Sequence, residues 1–446
     1  MAVILLGLTG YLFWIEIPQG ERKKEAETQA QKVVSFNETD IQFIGLQYRD
    51  PEAEIDLTKS QGGKWVISRP IHAETDEREI AGLLSSVVGM RHSRVLEDLE
   101  EGGEFGFDQP QIKISLTQKD SDGEKKETIL VGDDGPIFNT LFVKRESDQQ
   151  VVLVEKGIKN SLTKKLFDLR NKKILPIDRN QITQFTIDFK DSTFLFVKEE
   201  NQWKIRKPQP AKADSGEING NLFDFEDLRA IGFVDSKEEK EKLQKNFKVP
   251  ELMVRLKEGN QTIKASIFKT EKGQYFAVTS DEKPVYEISK SFLDNFKNDF
   301  FIYRDKHLLV FDPDSVKEVS VKNPEDTYYL RKAKDIWTLE GDEKEINQVS
   351  VTNFLKFLES LEAEEKPQNK ISFKEAGLQP PLTEIELKNL SGVSVGRLQL
   401  GKEADGKLYA QGLEDLGITL VFKSTFKSIP QKIDLFKGED DEETEK

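Results

Sequence analysis

The chain has no cysteine among its 446 residues. Disulfide frameworks, thiolate metal sites, iron–sulfur clusters and cysteine nucleophiles are thereby excluded. Histidine is scarce: His72, His92 and His307 are the only three, and none stands beside a second metal-type ligand at a helical or hairpin spacing. No zinc site is expected. Positive charge is not in excess either, since the formal net charge is −15 with acidic residues spread along the chain. Such a field repels a phosphate backbone, and nucleic acid is not an expected partner. Catalytic motifs are equally thin. Residues 392–396, GVSVG, satisfy G-x-S-x-G, but a nucleophile elbow needs a strand, a sharp turn, a helix and a later histidine. Ser394 begins an alternating strand instead, and no histidine follows position 307. DSDGE at 120–124 and GDDGP at 132–136 lack the ligand ladder of a calcium loop and read as hairpin turns. Carboxylates are abundant, but no pair stands out as a glycosidase acid and base. No catalytic, cofactor-binding or metal-binding residue is assigned, and the chain is expected not to be an enzyme.

One long apolar run is present, MAVILLGLTGYLFWIEI at 1–17. Some sixteen helical residues span about 24 Å, short of the ~30 Å hydrocarbon core but workable with local thinning. Tyr11 and Trp14 lie near one end, where amphipathic rings favour the headgroup zone. No small-residue cleavage site follows and no basic residue precedes, which favours an anchor over a cleaved signal peptide; a buried helix of the first domain is the other alternative. Residues 18–33 read as a polar stalk. Its Arg22, Lys23 and Lys24 would, under the positive-inside rule, hold the bulk of the chain in the cytoplasm.

The length suggests about three domains, and 36% apolar with 33% charged residues fits strongly solvated domains with modest cores. RNKKIL at 170–175 returns 134 positions later as RDKHLL at 304–309. A search at that period finds three internal tryptophans, Trp65, Trp203 and Trp337. Each is preceded by an opening phrase, FNETDIQFIGL, IDRNQITQFTI or FDPDSVKEVSV, with apolar residues in one register. Each is followed, 45, 47 or 44 residues on, by Pro110, Pro250 or Pro381, which opens an alternating strand. Three tandem modules are expected, at 34–175, 176–309 and 310–438, with an acidic tail at 439–446. Arg170 and Arg304 head the two hexapeptides, read as joints closing modules one and two.

Between tryptophan and proline lies a helical stripe: Ile80, Leu83, Leu84 and Val87 in module one, Val351, Phe354, Leu355, Leu358 and Leu361 in module three. Module two has Leu222, Phe225 and Leu228, with Asp214 and Glu217 resembling a capping box. Other segments alternate with period two between turns. The sum is an α+β class, each module a largely antiparallel sheet with helices on one face, preceded by one transmembrane helix. A tryptophan at the same frame in every copy reads as core filling rather than a ligand platform.

The phrases FNETDI, KWVISRP, FGFDQP, ILVGD and FDLRNKKIL, behind an apolar leader and a polar stalk, resemble the bacterial family called domain of unknown function 4340. The similarity is close in module one and partial in the others. Module two lacks the glycine of the VGD phrase, and module three has LQLGK there and no proline after its tryptophan. The resemblance implies a single-pass protein of the cytoplasmic (inner) membrane, with its bulk extracytoplasmic or periplasmic, often encoded beside gliding-motility-type ABC transporter components. It implies no catalytic residue. The expected function is a non-enzymatic accessory or scaffold subunit whose partners are the membrane, through residues 1–17, and ABC-type transporter subunits or a surface polymer. The alternative is an extracytoplasmic glycan- or peptide-binding protein using clefts between modules, with exposed aromatics such as Tyr328 and Tyr329 lining a groove. A hydrolase ranks third, and would need clustered carboxylates with perturbed pKa in a pocket.

Overall fold

The computed structural model describes residues 28–96, 105–121, 123–280, 283–340, 342–413 and 416–436. The expected anchor at 1–17, most of the stalk and the acidic tail lie outside them. Among the described residues no helix is long and apolar enough to cross a membrane. Three antiparallel sheets with a few helices make up the fold, which is α+β and rich in strand. The chain divides into two compact units, the first ending at Lys173 and the second beginning at Ile174. The first holds one sheet and the second holds two.

In the first sheet, nine strands run edge to edge as Ala73–Glu74, Trp65–Arg69, Glu52–Lys59, Ile41–Arg49, Ile112–Asp120, Gly123–Asp134, Thr140–Arg145, Val151–Glu155 and His92–Val95. Two meanders are thus joined at their first strands, Ile41–Arg49 against Ile112–Asp120. Alternation decides which face is buried. In Ile112–Asp120, Ile112, Ile114 and Leu116 are buried while Lys113, Ser115 and Thr117 are only half-buried. The helix Glu77–Val88 lays Ile80, Leu83, Leu84, Val87 and Val88 on that apolar face.

The second sheet repeats this nine-strand order, and the third repeats eight of the nine. In the third the last strand shrinks to one bridge, Glu365 to Leu420, where each amide donates across (Glu364 N to Leu420 O and Leu420 N to Glu365 O, both 2.8 Å). The helices Ser215–Glu226 and Gln348–Glu359 stand where Glu77–Val88 stands in the first sheet. They are shorter than the apolar stripes suggested, because Leu228 and Leu361 are buried beyond the last helical turn. The run that closes the first module forms two short helices, Ile158–Leu162 and Leu166–Leu169.

Each central helix is capped by a side chain, Asp76, Asp214 or Asn347, accepting from amides of its first turn. The reciprocal half of the expected capping box at Asp214 is replaced. The Asp214 amide donates not to Glu217 but to the Tyr303 carbonyl (2.9 Å), as Asp76 donates to Leu169 (2.9 Å) and Asn347 to Phe436 (2.6 Å). That one bond pins the closing segment of every module to the start of its helix. All three closing residues, Leu169, Tyr303 and Phe436, are fully buried.

The hexapeptides turn out to be shared between neighbours. Arg170 bridges Thr75 and Arg304 bridges Ala213, each inside the preceding module. The apolar pairs that follow belong to the next core: Ile174 and Leu175 to the second cluster, Leu308 and Leu309 to the third. The expectation that these pairs end modules one and two, at 175 and 309, is therefore corrected. A third copy also exists. Val33 and Val34 are buried in the first core, so the expected stalk stops short of residue 33. The backbone confirms the equivalence, since Val33 donates to Met90 (2.9 Å), Ile174 to Leu228 (3.0 Å) and Leu308 to Leu361 (2.9 Å). Within the second unit, Lys306 reaches Asp214 (2.8 Å), and His307 lies between Asp305 (2.5 Å) and Glu362 (3.5 Å). Phe301 packs into the third core.

Candidate functional site

The repeated residues serve their own modules. Trp203 and Trp337 are buried in the second and third cores, Trp65 is half-buried against the first, and the Trp203 indole donates to Asn219 (3.3 Å). Pro110, Pro250 and Pro381 each stand two residues before a strand, Ile112–Asp120, Leu252–Glu258 or Thr383–Asn389. Arg170 and Arg304 are buried, and the Arg304 guanidinium lies 5.8 Å from the Phe300 ring centre. Among the described residues no group of three acidic or histidine side chains could hold a metal.

The glycines of the VGD and LQLGK phrases, Gly132 and Gly401, serve one close approach. At Gly132 and Gly401 an added Cβ would fall 2.1 Å from a loop carbonyl, Phe105 or Ala376. That same carbonyl accepts the next amide, from Asp133 (2.9 Å) or Lys402 (2.8 Å). Gly106 (φ +76°) and Gly377 (φ +69°) turn the two loops into place. The second sheet has Phe268 at this position, in step with its neighbour Ile267, which accepts from Glu251 as Val131 accepts from Gln111. There the close approach gives way to a ring stack, Phe268 on Phe247 at 4.4 Å with planes 4° apart.

Tertiary structure assembles one groove of note, on the outward face of the third sheet. Lys322 stands opposite Glu384, Glu384 opposite Gln399, and Gln399 opposite Gln411, so four strands contribute one row of side chains. Their chain neighbours Thr383, Ile385, Leu398, Leu400 and Ala410 face the core. A cavity of about 670 Å³ lies over the row, walled by Phe373, Leu378, Pro380 and Pro381. A second of about 430 Å³ continues it past Pro380, Pro381 and Glu384 to Lys322 and Asn323. Arg397 (2.6 Å) and Gln399 (2.9 Å) both donate to Glu384 Oε2. Partial burial alone would raise the Glu384 carboxyl, but these donors and the Arg397 charge hold it below the usual carboxylate range. Glu384 Oε1 and the Gln411 carboxamide have no hydrogen-bond partner among the described residues.

The two tyrosines expected to line a groove part company, because adjacent strand residues face opposite ways. Tyr328 is buried and its hydroxyl donates to the Pro430 carbonyl (2.6 Å). Tyr329 faces outward, lining a smaller hollow of about 150 Å³ with Arg331, Glu318 and Glu340. In the second module, Asp224 and Asp227 share a hollow of about 270 Å³ at the end of the helix Ser215–Glu226. Burial raises the Asp224 carboxyl against the bond it makes with Asn295, while Asp227 is paired with Arg229 (3.2 Å). Ser394 opens the strand Ser394–Ala404, not an elbow.

The family described as Domain of unknown function (DUF4340) matches residues 65–247 and 240–365, together more than half of the chain. The chain belongs to this family. No curated protein and no solved structure matches it.

Proposed function

We propose that this member of the domain of unknown function 4340 family is a non-enzymatic accessory or scaffold subunit. It is held to the cytoplasmic membrane by residues 1–17, with its bulk outside the cytoplasm, and partners ABC-type transporter subunits of the gliding-motility type. The observation that carries the reading is how the recurring residues are used. Trp, Pro, the helix-capping residues and the opening apolar pairs, present in all three copies, and Arg, present in two, go into packing, strand starts and backbone closure. What differs between copies lies outside the cores: the groove on the outward face of the third sheet, the Phe247–Phe268 stack on the second, and the exposed Ile137 and Phe138 in the turn between Gly123–Asp134 and Thr140–Arg145 of the first. A common frame with individual surfaces suits docking to several partners.

Affinity-tagged full-length protein, cross-linked in membranes and then solubilised in detergent, tests this. Co-purification of a transporter subunit is the expected result. Recovery of the chain alone, or its release without detergent, would overturn it.

A further inference from the structure

We propose that the groove on the outward face of the third sheet is a binding site for a neutral, linear oligosaccharide. The inference goes beyond the accessory role and does not depend on it. Three observations carry it: unmet polar capacity, near-neutral charge and elongated shape.

The row Lys322, Glu384, Gln399, Gln411 crosses three inter-strand gaps, or about 14 Å at some 4.8 Å each. Its planar carboxamide and carboxylate groups each offer paired donors or acceptors, a spacing that suits vicinal hydroxyls. Two of them, Glu384 Oε1 and the whole Gln411 carboxamide, keep that capacity open to the cavity, since Arg397 and Gln399 both use Oε2. Half-buried polar groups of this kind favour a ligand that replaces water with directed hydrogen bonds.

Charge narrows the class. The Arg397 guanidinium neutralises Glu384 (2.6 Å), so the middle of the row presents little net charge to attract a phosphate or a cation. Lys322 adds its charge at one end of the row, where it also bears on Glu384. The wall of Pro380, Pro381 and Phe373 is apolar and fits the C–H face of a pyranose, while the row takes its hydroxyl edge. An extended peptide is disfavoured by position. Peptides join sheets through backbone pairing at an edge, whereas here the amides and carbonyls beneath the groove already pair within the sheet. The two cavities share Pro380, Pro381 and Glu384 and hold about 670 and 430 Å³, which makes the site long enough for several sugars.

The test uses the full chain in detergent micelles and isothermal titration calorimetry. The probes are hexamers of β-1,4-glucose, α-1,4-glucose and β-1,4-N-acetylglucosamine, beside an acidic galacturonate hexamer and a ten-residue extended peptide. At least one neutral hexamer is expected to bind saturably at millimolar concentration or below. The Gln399→Ala, Gln411→Ala double variant should weaken it at least tenfold, while Gln47→Ala, on an exposed position of the first sheet, leaves it unchanged. Both replaced glutamines face away from the core, so folding is retained and is checked by the melting curve. No binding of any neutral hexamer, binding indifferent to the double variant, or binding of the acidic hexamer or the peptide alone would overturn the proposal. Co-purification of a transporter subunit is read separately, so failure of either reading is distinguishable from failure of the other.

Discussion

Leu308→Ala tests the reassignment of the hexapeptide directly. Leu308 is fully buried in the third core, though it sits in a phrase that reads as the end of the second module. Its backbone bonds, to Leu361 (2.9 Å) and from Leu413 (2.8 Å), survive the substitution. What is lost is the side chain, and the site cannot close over the gap. A Cβ at Gly412 would already lie 2.0 Å from the Leu308 carbonyl, so this backbone has no room to move in. Leu→Ala in a rigid core costs about 3–5 kcal/mol, which is more than a hundredfold in the opening equilibrium. Hydrogen exchange read by mass spectrometry, in steps of urea, assigns the loss to a sheet. Protection should fall more than a hundredfold in Val316–Lys322 and Thr383–Asn389, and less than threefold in Ile182–Asp188 and Leu252–Glu258. Ile174→Ala should act in the same way on the second sheet and spare the first. Equal loss in the second and third sheets for Leu308→Ala, or loss in the first for Ile174→Ala, would refute the assignment of the pairs.

Gly401→Ala should cost about 1–3 kcal/mol by forcing the Ala376 carbonyl away, seen as faster exchange of the Lys402 amide, and an unchanged rate would refute the close approach. The Tyr303 hydroxyl lies near the Lys297 backbone but is buried without a hydrogen bond, so Tyr303→Phe should be neutral or stabilising by up to about 1–3 kcal/mol in urea unfolding. Partial burial alone would raise the Asp214 carboxyl, but Lys306 and the amides of Glu217 and Gly216 hold it below the usual range. A depressed folded pKa gives stability present above the unfolded value of about 3.9 and lost as pH falls through the folded one. Asp214→Asn keeps a capping side chain and should therefore lower the melting temperature near pH 7 while flattening its fall below pH 4.

Much of the frame was legible because it is written locally. Strand alternation, the capping Asp214 and the stripe Ile80, Leu83, Leu84 and Val87 each depend on neighbours within a few positions, and each is found in the structure. The repeat was legible because three copies of one sheet need the same residues at the same frame. Ownership of the apolar pairs was not. RNKKIL and RDKHLL look like endings, and only the cores that bury Ile174 and Leu308 show them to be beginnings too. Val33 and Val34 were missed because their own hexapeptide lacks the arginine that made the other two recognisable. The glycine device was half visible, as GFDQP and GLQPP with a later glycine, yet its reason is a contact across some 25 residues.

The groove was not legible at all. Its row draws on residues 322, 384, 399 and 411, aligned only by the register of four strands. One residue of slip would turn each side chain to the other face. The sequence by itself determined the module, because a buried face must be apolar wherever the copy stands. Only the tertiary structure decided which polar residues on the other face meet, because nothing in the order of a chain encodes the distance between strands it has yet to pair.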